Sequence, residues 1–233
     1  MALEISVIIP TFNEAPNIVQ TITALRHRAT KITTLEIIVV DGGSTDGTQG
    51  LLQQFDGVRC LAAPKKGRAA QMNFGAQNAL GNVLYFLHAD TITPHDFDLY
   101  IMNYIAPGKQ AGCFRMKFDT GHWWLQLAGW GTRFRKKICR GGDQSLFVTK
   151  ALFRDINGYD EAFIICEDLE IIDRLWTATH FGVLPESVIT SARKYQQKGI
   201  WTLQYHFWVI QYLYRRGASP ERLYGYYQSK IKS

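Results

Sequence analysis

Short apolar runs that end in polar turns dominate the first half of the sequence and constrain its fold most strongly. Four such runs, ISVIIP, LEIIVV, VRCLA and VLYFLH, alternate with segments that carry helix signals. Pro16 is typical of a first helical turn, and Ser44 and Asp46 are good N-caps. Alternation at this spacing favours right-handed βαβ units. The sequence therefore predicts an α/β fold with a mostly parallel central sheet flanked by helices.

The pattern becomes less regular after the fourth run. Strands are predicted at GCFRMKF and QSLFVT, and helices at residues 95–105, at KALFRDI and at residues 168–178. The last 35 or so residues read as one long and one short helix joined at RRGASP. We expect one domain over residues 1–195 and a helical extension over residues 196–233, packed on that domain or at a membrane surface.

Composition narrows the choice of partners. The 233 residues are 46% hydrophobic, enough for a sizeable core, and 26 Lys and Arg against 20 Asp and Glu give a net charge of +6. This charge suits a phosphate-bearing ligand, whereas the lack of a long basic block argues against nucleic acid. Four cysteines without a C-x-x-C pair predict buried thiols in a reducing cytosol.

The apolar segments are too short for a membrane span. No uninterrupted apolar stretch reaches the roughly 18 residues that a span needs, and the N-terminus lacks the pattern of a secretory signal. We therefore expect a cytoplasmic protein, soluble or peripheral on the inner face of the membrane.

Carboxylates follow three of the predicted strands, at Glu14, Asp41 and Asp90. Ligands of open α/β sheets bind beyond the carboxyl ends of the strands. Each position also has a simpler interpretation. Glu14 favours a helix dipole, Asp41 shapes an ordinary turn, and His88 beside Asp90 is a core histidine. The meeting of all three carboxylates at one edge favours a binding site.

Two further segments carry candidate residues. In PKKGRAAQMN, cations around a helix start oppose the helix dipole unless an anion such as a diphosphate is bound, and Arg68 and Asn73 stand out there. The alternative is a solvated basic turn. In GYDEAFIICEDLE, Glu167 and Asp168 begin a helix, where Asp168 is either an N-cap or a general base.

Four motifs in this order resemble the inverting glycosyltransferases of family 2: SVIIPTFNEAPNI, EIIVVDGGSTDGT, LHADT and GYDEAFIICED. The resemblance covers roughly residues 4–178. It implies the GT-A nucleotide-diphospho-sugar transferase fold, with a Rossmann-like sheet and a C-terminal helical appendage like that of small bacterial members. It also implies metal-assisted transfer of a sugar from a nucleotide-diphosphate donor to an acceptor hydroxyl, by single displacement with inversion.

The resemblance assigns the catalytic and metal-binding residues. His88, Ala89 and Asp90 take the place of the family's Asp-x-Asp motif, so Asp90 is the implied ligand of Mg²⁺ or Mn²⁺. His88 replaces the first aspartate, which leaves open whether it contacts the ribose, the metal or neither. Asp168 is the implied base that deprotonates the acceptor, and Glu167 is the second choice.

The resemblance also implies a nucleotide-sugar side and an acceptor side. The implied nucleotide-sugar residues, besides the His88 motif, are Pro10, Thr11, Glu14, Asp41, Arg68 and Asn73. GGDQS resembles an acceptor-side loop, in which Asp143 and Gln144 bind the donor sugar or the acceptor, or only shape a turn. The basic stretch at residues 132–140 is a solvated face or a loop that closes over the diphosphate.

The C-terminal helix carries one aromatic face. This face contains Trp201, Tyr205, Trp208, Val209 and Tyr212. Packing of the face against the enzyme core is favoured, and peripheral membrane contact through residues 199–227 is the alternative.

The expected partners are a nucleotide-diphosphate sugar and a glycan, glycolipid or small-molecule acceptor, in cell-envelope polysaccharide or glycolipid biosynthesis. Two alternative functions stay open. One is a sugar-nucleotide nucleotidyltransferase, which would release pyrophosphate, and the other is a non-catalytic nucleotide-sugar-binding protein. The sequence does not name the base, the sugar or the acceptor.

Overall fold

A central sheet of eight strands organises the protein, and the computed structural model describes residues 4–232. The strands are β1 (Ile5–Thr11), β2 (Leu35–Asp41), β3 (Val58–Ala62), β4 (Val83–Phe86), β5 (Thr91–Ile92), β6 (Ala111–Phe118), β7 (Leu146–Thr149) and β8 (Gly182–Thr190). Their order across the sheet is β3-β2-β1-β4-β7-β6-β8-β5.

The sheet is mixed. Strands β3, β2, β1 and β4 run parallel to one another, as the sequence predicted. Strand β7 runs antiparallel to both β4 and β6, while β8 is parallel to β6 and antiparallel to β5. The antiparallel β7 brings the start of one strand beside the end of another, which determines where the site forms.

Ten α-helices cover the sheet and extend beyond it in the described residues. They are α1 (Ala15–Arg28), α2 (Thr48–Leu52), α3 (Arg68–Asn78), α4 (Phe97–Ile105), α5 (Trp123–Gly131), α6 (Lys150–Asp155), α7 (Glu167–Ala178), α8 (Arg193–Lys198), α9 (Ile200–Arg215) and α10 (Pro220–Tyr227). A short π-helical turn, Gln228–Lys232, follows α10. Helix α2 begins later than predicted, because left-handed Gly47 rather than Ser44 or Asp46 occupies its N-cap.

Each face of the sheet has its own apolar core, because side chains alternate along a strand. Ile8, Val40 and Phe86 point toward α3, α6 and α7. Val7 and Ile9 point the other way, toward α1 and α4. The predicted α/β architecture is therefore confirmed, with the carboxyl ends of β1, β2 and β4 at one edge.

The C-terminal helices pack on the segment that leads into α7. Leu203, Ile210 and Leu223 are buried in a cluster with Phe163 and Cys166. The favoured expectation for the aromatic face of α9 holds only in part. Trp201 and Trp208 pack against Trp124 of α5, but the opposite face of the helix makes the buried contact. Trp201, Tyr205, Trp208 and Tyr212 are each about half exposed or more.

Four of the labelled elements were not predicted: α5, α8, β5 and β8. Pro185 and Glu186 interrupt the apolar pattern of β8, whose pairing with β6 shifts register after Phe114. The expectation of buried thiols holds for Cys113 and Cys166 but is wrong for exposed Cys60. Among the described residues, no helix is both long and apolar enough to cross a bilayer.

Close packing of α3 on the sheet yields a first prediction. A Cβ on Gly75 would lie 2.5 Å from Cγ2 of Ile8 and 3.1 Å from Cγ2 of Val40. We expect Gly75→Ala to lower the free energy of unfolding by about 1–3 kcal/mol, measured by urea denaturation, because these strand side chains cannot retreat. Gly50→Ala on α2 is the control, since nothing lies within 4 Å of its Cβ position. Equal stability of both variants would contradict the packing.

Candidate active site

The antiparallel pairing of β7 with β4 places two distant segments side by side. Phe86 near the end of β4 pairs with Leu146 at the start of β7. The residues just after β4 therefore meet those just before β7, and Nδ1 of His88 lies 3.4 Å from Oδ1 of Asp143. Desolvation alone would raise the pKa of Asp143, but the hydrogen bond and charge of His88 and the charge of Arg68 lower it.

Asp90 lies partly buried at this edge, near several other charged side chains. Burial raises the pKa of its carboxyl group, and the nearby charges of Asp143 and Glu14 raise it further. His88 and Arg193 oppose that effect without cancelling it. Asp90 thus lies among both acidic and basic side chains, and burial is the main cause of its raised pKa.

Arg193 of α8 reaches this edge from the far end of the chain, and sequence reasoning missed it. Its Nη2 lies 3.2 Å from both carboxylate oxygens of Glu14, while Asn17 also donates to that carboxylate at 2.5 Å. The adjacent Lys194 contributes positive charge at Asp143. The only signal in the sequence was a pair of cations, Arg193 and Lys194, in the turn after an unrecognised strand.

Arg68 at the start of α3 pairs with Glu167 at the start of α7. Glu167 is fully buried, whereas the Arg68 side chain is 40% exposed. Burial alone would lower the pKa of Arg68, but the charges of Glu167 and Asp168 raise it above its ordinary value, so it stays a cation. Burial raises the pKa of Glu167, and Arg68 offsets only part of that rise.

Asp168 is more accessible than its neighbour. Cys166 occupies the N-cap of α7, so Asp168 lies within the first turn and is not the cap. It is partly buried and lines a narrow pocket together with His88, Gly141 and Glu167. A methyl group on Gly141 would lie 3.9 Å from Oδ2 of Asp168. This carboxylate therefore faces the loop that also carries Asp143.

Asp41 organises the turn after β2. Its buried carboxylate accepts hydrogen bonds from the backbone of Gly43 and Ser44, from the Ser44 hydroxyl and from the Gln49 amide. Burial would raise the pKa of Asp41, but these hydrogen bonds together lower it. Ser44 in turn accepts from the backbone N–H of Asn13, which ties the turns after β1 and β2 together.

The other candidates lie nearby but serve the fold in this structure. Asn73 exchanges two 2.9 Å hydrogen bonds with the backbone of Tyr159 and so holds the segment before α7. The backbone carbonyls of Thr11 and Ala89 accept from Gln71 and Thr21. Pro10 and Gln144 are buried at the same edge. Nucleotide or sugar contacts by these residues stay predictions.

Fold and site together define the GT-A class of α/β proteins, and comparison with known proteins identifies the family. Residues 6–154 match the family described as glycosyl transferase family 2, so the chain belongs to that family. A curated relative, "Glycosyltransferase AglE" of Haloferax volcanii, is 36% identical over 96 residues, which are 39% of this chain and 31% of AglE. The family inferred from the four motifs is confirmed.

Solved structures match most of the fold. The structure of S. aureus TarS 1-349 in complex with UDP-GlcNAc has a TM-score of 0.70 and 18% identity, covering 81% of this chain and 58% of the TarS 1-349 chain. The mannosyltransferase PcManGT of Pyrobaculum calidifontis, in complex with GDP-Man and Mn²⁺, has a TM-score of 0.69 and 18% identity, covering 90% of this chain and 61% of PcManGT. The chain spans less than two thirds of these proteins.

The Asp41 turn predicts a pH-dependent stability. The ordinary pKa of this carboxyl is 3.8 and the folded value is lower, so its stabilisation is present above about pH 4 and is lost as pH falls through the folded value. We expect Asp41→Asn to lower the free energy of unfolding by about 1–3 kcal/mol at neutral pH. Chemical denaturation of both proteins at a series of pH values should show that this difference in the free energy of unfolding shrinks as the pH falls. Exposed Asp155→Asn is the control, and a pH-independent loss would refute this role.

The Arg68–Glu167 pair predicts a loss of stability that depends on the carboxylate. Arg68→Met should cost about 1–3 kcal/mol, because Glu167 stays buried without its cation. The pKa of Glu167 then rises further, so the loss should shrink as pH falls. Adding Glu167→Gln should restore most of the stability in chemical denaturation.

A matched pair separates stability from binding in that experiment. Arg59 is also 40% exposed and pairs with buried Glu36 at the opposite edge of the sheet. Arg59→Met should lose similar stability, yet only Arg68→Met should weaken nucleotide-sugar binding. Equal nucleotide-sugar binding by Arg68→Met and Arg59→Met would show that Arg68 is not part of the binding site.

Proposed function

We propose that this protein is an inverting glycosyltransferase that moves a sugar from a nucleotide-diphosphate donor to an acceptor hydroxyl. One observation supports this most: a cluster of charged side chains lies at the carboxyl edge of the sheet, between the end of β1 and the start of α7. Its members are Glu14, Arg193, Asp90, His88, Asp143, Arg68, Glu167 and Asp168. Direct contacts pair Glu14 with Arg193, His88 with Asp143 and Arg68 with Glu167, so acids and bases are interspersed, which suits a donor that carries both hydroxyls and phosphates.

The residues at Asp90 fit a divalent cation shared with the donor. Among the described residues, no group of three or more His, Cys, Asp or Glu is placed to hold an ion. Asp90 still offers one partly buried carboxylate beside the acidic side chains of Asp143 and Glu14, and diphosphate oxygens would complete the ligands. Mg²⁺ or Mn²⁺ held there would neutralise charge on the departing diphosphate. The Mn²⁺ and GDP-Man in the PcManGT structure support this assignment.

The cations of the cluster are assigned to the donor's phosphates. Arg68 begins α3 and keeps its charge, and its charge acts on Asp143 together with that of Lys194 on α8. Arg193, beside Lys194, contacts Glu14. A diphosphate near these cations would gain opposing charge. Glu14 and Asp41 follow adjacent parallel strands and are assigned to the ribose and base. The TarS structure holds UDP-GlcNAc and the PcManGT structure holds GDP-Man. These two donors differ in their nucleotide base, so they do not indicate which base this protein's donor carries.

Asp168 is assigned as the general base. Glu167 is buried and committed to Arg68, so we give it the role of holding that cation in place. Asp168 faces the pocket and is accessible to an acceptor. In the proposed step the acceptor oxygen bonds to the anomeric carbon while its proton passes to Asp168. The bond from that carbon to the diphosphate oxygen breaks, and its electron pair leaves with the nucleoside diphosphate.

Inversion needs the acceptor to attack from the face of the sugar opposite the leaving diphosphate. We assign these two faces to Asp168, on α7, and to Asp90, after β4. In the proposed step, attack comes from the α7 side and the diphosphate departs toward Asp90. Asp143 and Gln144 are assigned to the sugar or the acceptor.

The thiols support a reducing compartment for this reaction. Cys60, Cys113, Cys139 and Cys166 are all free, and Cys60 is exposed. Exposed thiols persist where glutathione and thioredoxin keep them reduced. We therefore assign the protein to the cytoplasm.

Asp168→Asn tests the mechanism. We expect about 10²–10⁴-fold slower release of nucleoside diphosphate from a donor sugar, since Asn cannot take the proton. Nucleotide binding, followed by thermal shift, should be retained. Activity would be measured with UDP-sugars and GDP-sugars, with water as the simplest acceptor.

Asp173→Asn is the matched control, because it makes the same change on the same helix at a residue paired with Lys137 outside the pocket. It should keep full activity. Unchanged turnover in Asp168→Asn would reject this base, and release of pyrophosphate by the wild type would favour a nucleotidyltransferase.

A further inference from the structure

Helices α5 and α9 together expose an unusually aromatic surface. On α5 and the turn after it, the exposed residues recur at helical spacing, at Trp123, Leu127, Trp130 and Phe134. On α9 they recur at Trp201, Tyr205, Trp208 and Tyr212. Each of these eight side chains is between 45% and 62% exposed. We call this set the aromatic face.

Ring contacts join the two helices into one surface. The ring centroids of Trp123 and Trp201 are 5.9 Å apart, and those of Trp124 and Trp201 are 5.3 Å apart. Trp124 also meets Trp208 edge to face at 5.7 Å and donates from Nε1 to Gln204 at 3.1 Å. These contacts fix the two helices relative to each other while the outer rings stay exposed.

The chain segments that carry the aromatic face are strongly basic. Residues 120–142 and 187–220 contain ten of the 26 Lys and Arg and none of the 20 Asp and Glu. The rest of the chain has 16 basic and 20 acidic residues, so the positive net charge comes from these segments. The guanidinium of Arg133 lies 4.5 Å from the ring centre of Trp130, within the face itself. Exposed Arg215 and Arg216 lie at the end of α9.

We propose that the aromatic face docks on the surface of an anionic lipid bilayer. Trp and Tyr combine an apolar ring with a polar group and favour the level of the lipid headgroups. The exposed cations at the face, Arg133, Arg215 and Arg216, attract anionic headgroups. A second copy of the chain fits less well, because a symmetric contact would bring the two basic surfaces together. The proposal is independent of the proposed reaction.

Docking through this face would also bring the active site near the membrane. Helix α8 links the two, since Arg193 contacts Glu14 in the site and Gly199 leads directly into α9. The ring of Tyr195 on α8 packs against Phe118 and Phe207, with ring centroids 5.5 and 6.0 Å apart. The site therefore has a short and packed connection to the docking surface.

Intrinsic fluorescence reports on the docking directly, because five of the six tryptophans lie in or beside the aromatic face and only Trp176 lies elsewhere. The probe is vesicles of phosphatidylcholine with or without phosphatidylglycerol. We expect co-sedimentation and a blue shift with phosphatidylglycerol, both weakened by added salt. Brominated phosphatidylcholine in the same vesicles should quench the emission.

Variants locate the contact. Trp201→Ser combined with Tyr205→Ser should weaken vesicle binding at least about tenfold, and so should Arg133→Glu combined with Lys136→Glu. Leu80→Ser is the control, since Leu80 is 67% exposed at the opposite edge of the sheet and should leave binding unchanged. Circular dichroism and melting temperature verify folding of each variant.

Two results would overturn the proposal. One is vesicle binding that is absent, or equal in the wild type and the aromatic double variant. The other is a stable dimer in solution that the aromatic double variant abolishes. Because vesicle binding needs no nucleotide, failure here would leave the test of Asp168 unaffected.

Discussion

The position of β4 between β1 and β7 is the constraint on which the site depends. Ile8 of β1 pairs with Phe86 in a parallel register, and Phe86 pairs with Leu146 in an antiparallel one. Two strand ends and one strand start therefore meet at a single point of the sheet edge. Chain segments more than 50 residues apart supply His88 and Asp143 to that point, and no local motif could position them equally well.

Charge at this edge is balanced unevenly. Glu167 is neutralised by Arg68, and Glu14 by Arg193, through direct contacts. Burial raises the pKa of both Glu167 and Asp90, and nearby cations offset only part of each rise. Glu167 and Glu14 are held by arginines within the fold, whereas Asp90 is the carboxylate assigned to the cation in the proposed function.

Much of the fold was predictable because, in the first half of the chain, the local sequence signals agree with the structure that forms. Apolar runs, glycine turns and helix starts agree there, so β1 to β4 and the carboxylates after them followed from sequence patterns. The resemblance added Asp143 and the catalytic assignment of Asp168. It could not show that Glu167 is buried or that Asn73 holds the backbone of Tyr159, because both depend on packing between distant segments.

The missed features share a physical cause. Strand β8 is paired on both sides, yet Pro185 and Glu186 break its alternation of apolar and polar residues. Because the strand was not recognised, nothing in the sequence indicated that Arg193, just after it, lies at the site. Helix α9 has apolar residues all around, so periodicity did not reveal which face is exposed. Burial of Leu203 and Ile210 decided that.

The most direct test of the central claim is the melting temperature of the wild type and of Asp90→Asn with UDP, GDP, CDP or dTDP, each with and without Mn²⁺. If a shared cation joins Asp90 to a donor diphosphate, one nucleotide should stabilise the wild type by several degrees only when Mn²⁺ is present. Asp90→Asn should lose that metal-dependent shift. A folded wild type that responds to none of the nucleotides, or an equal shift in both proteins, would contradict the account.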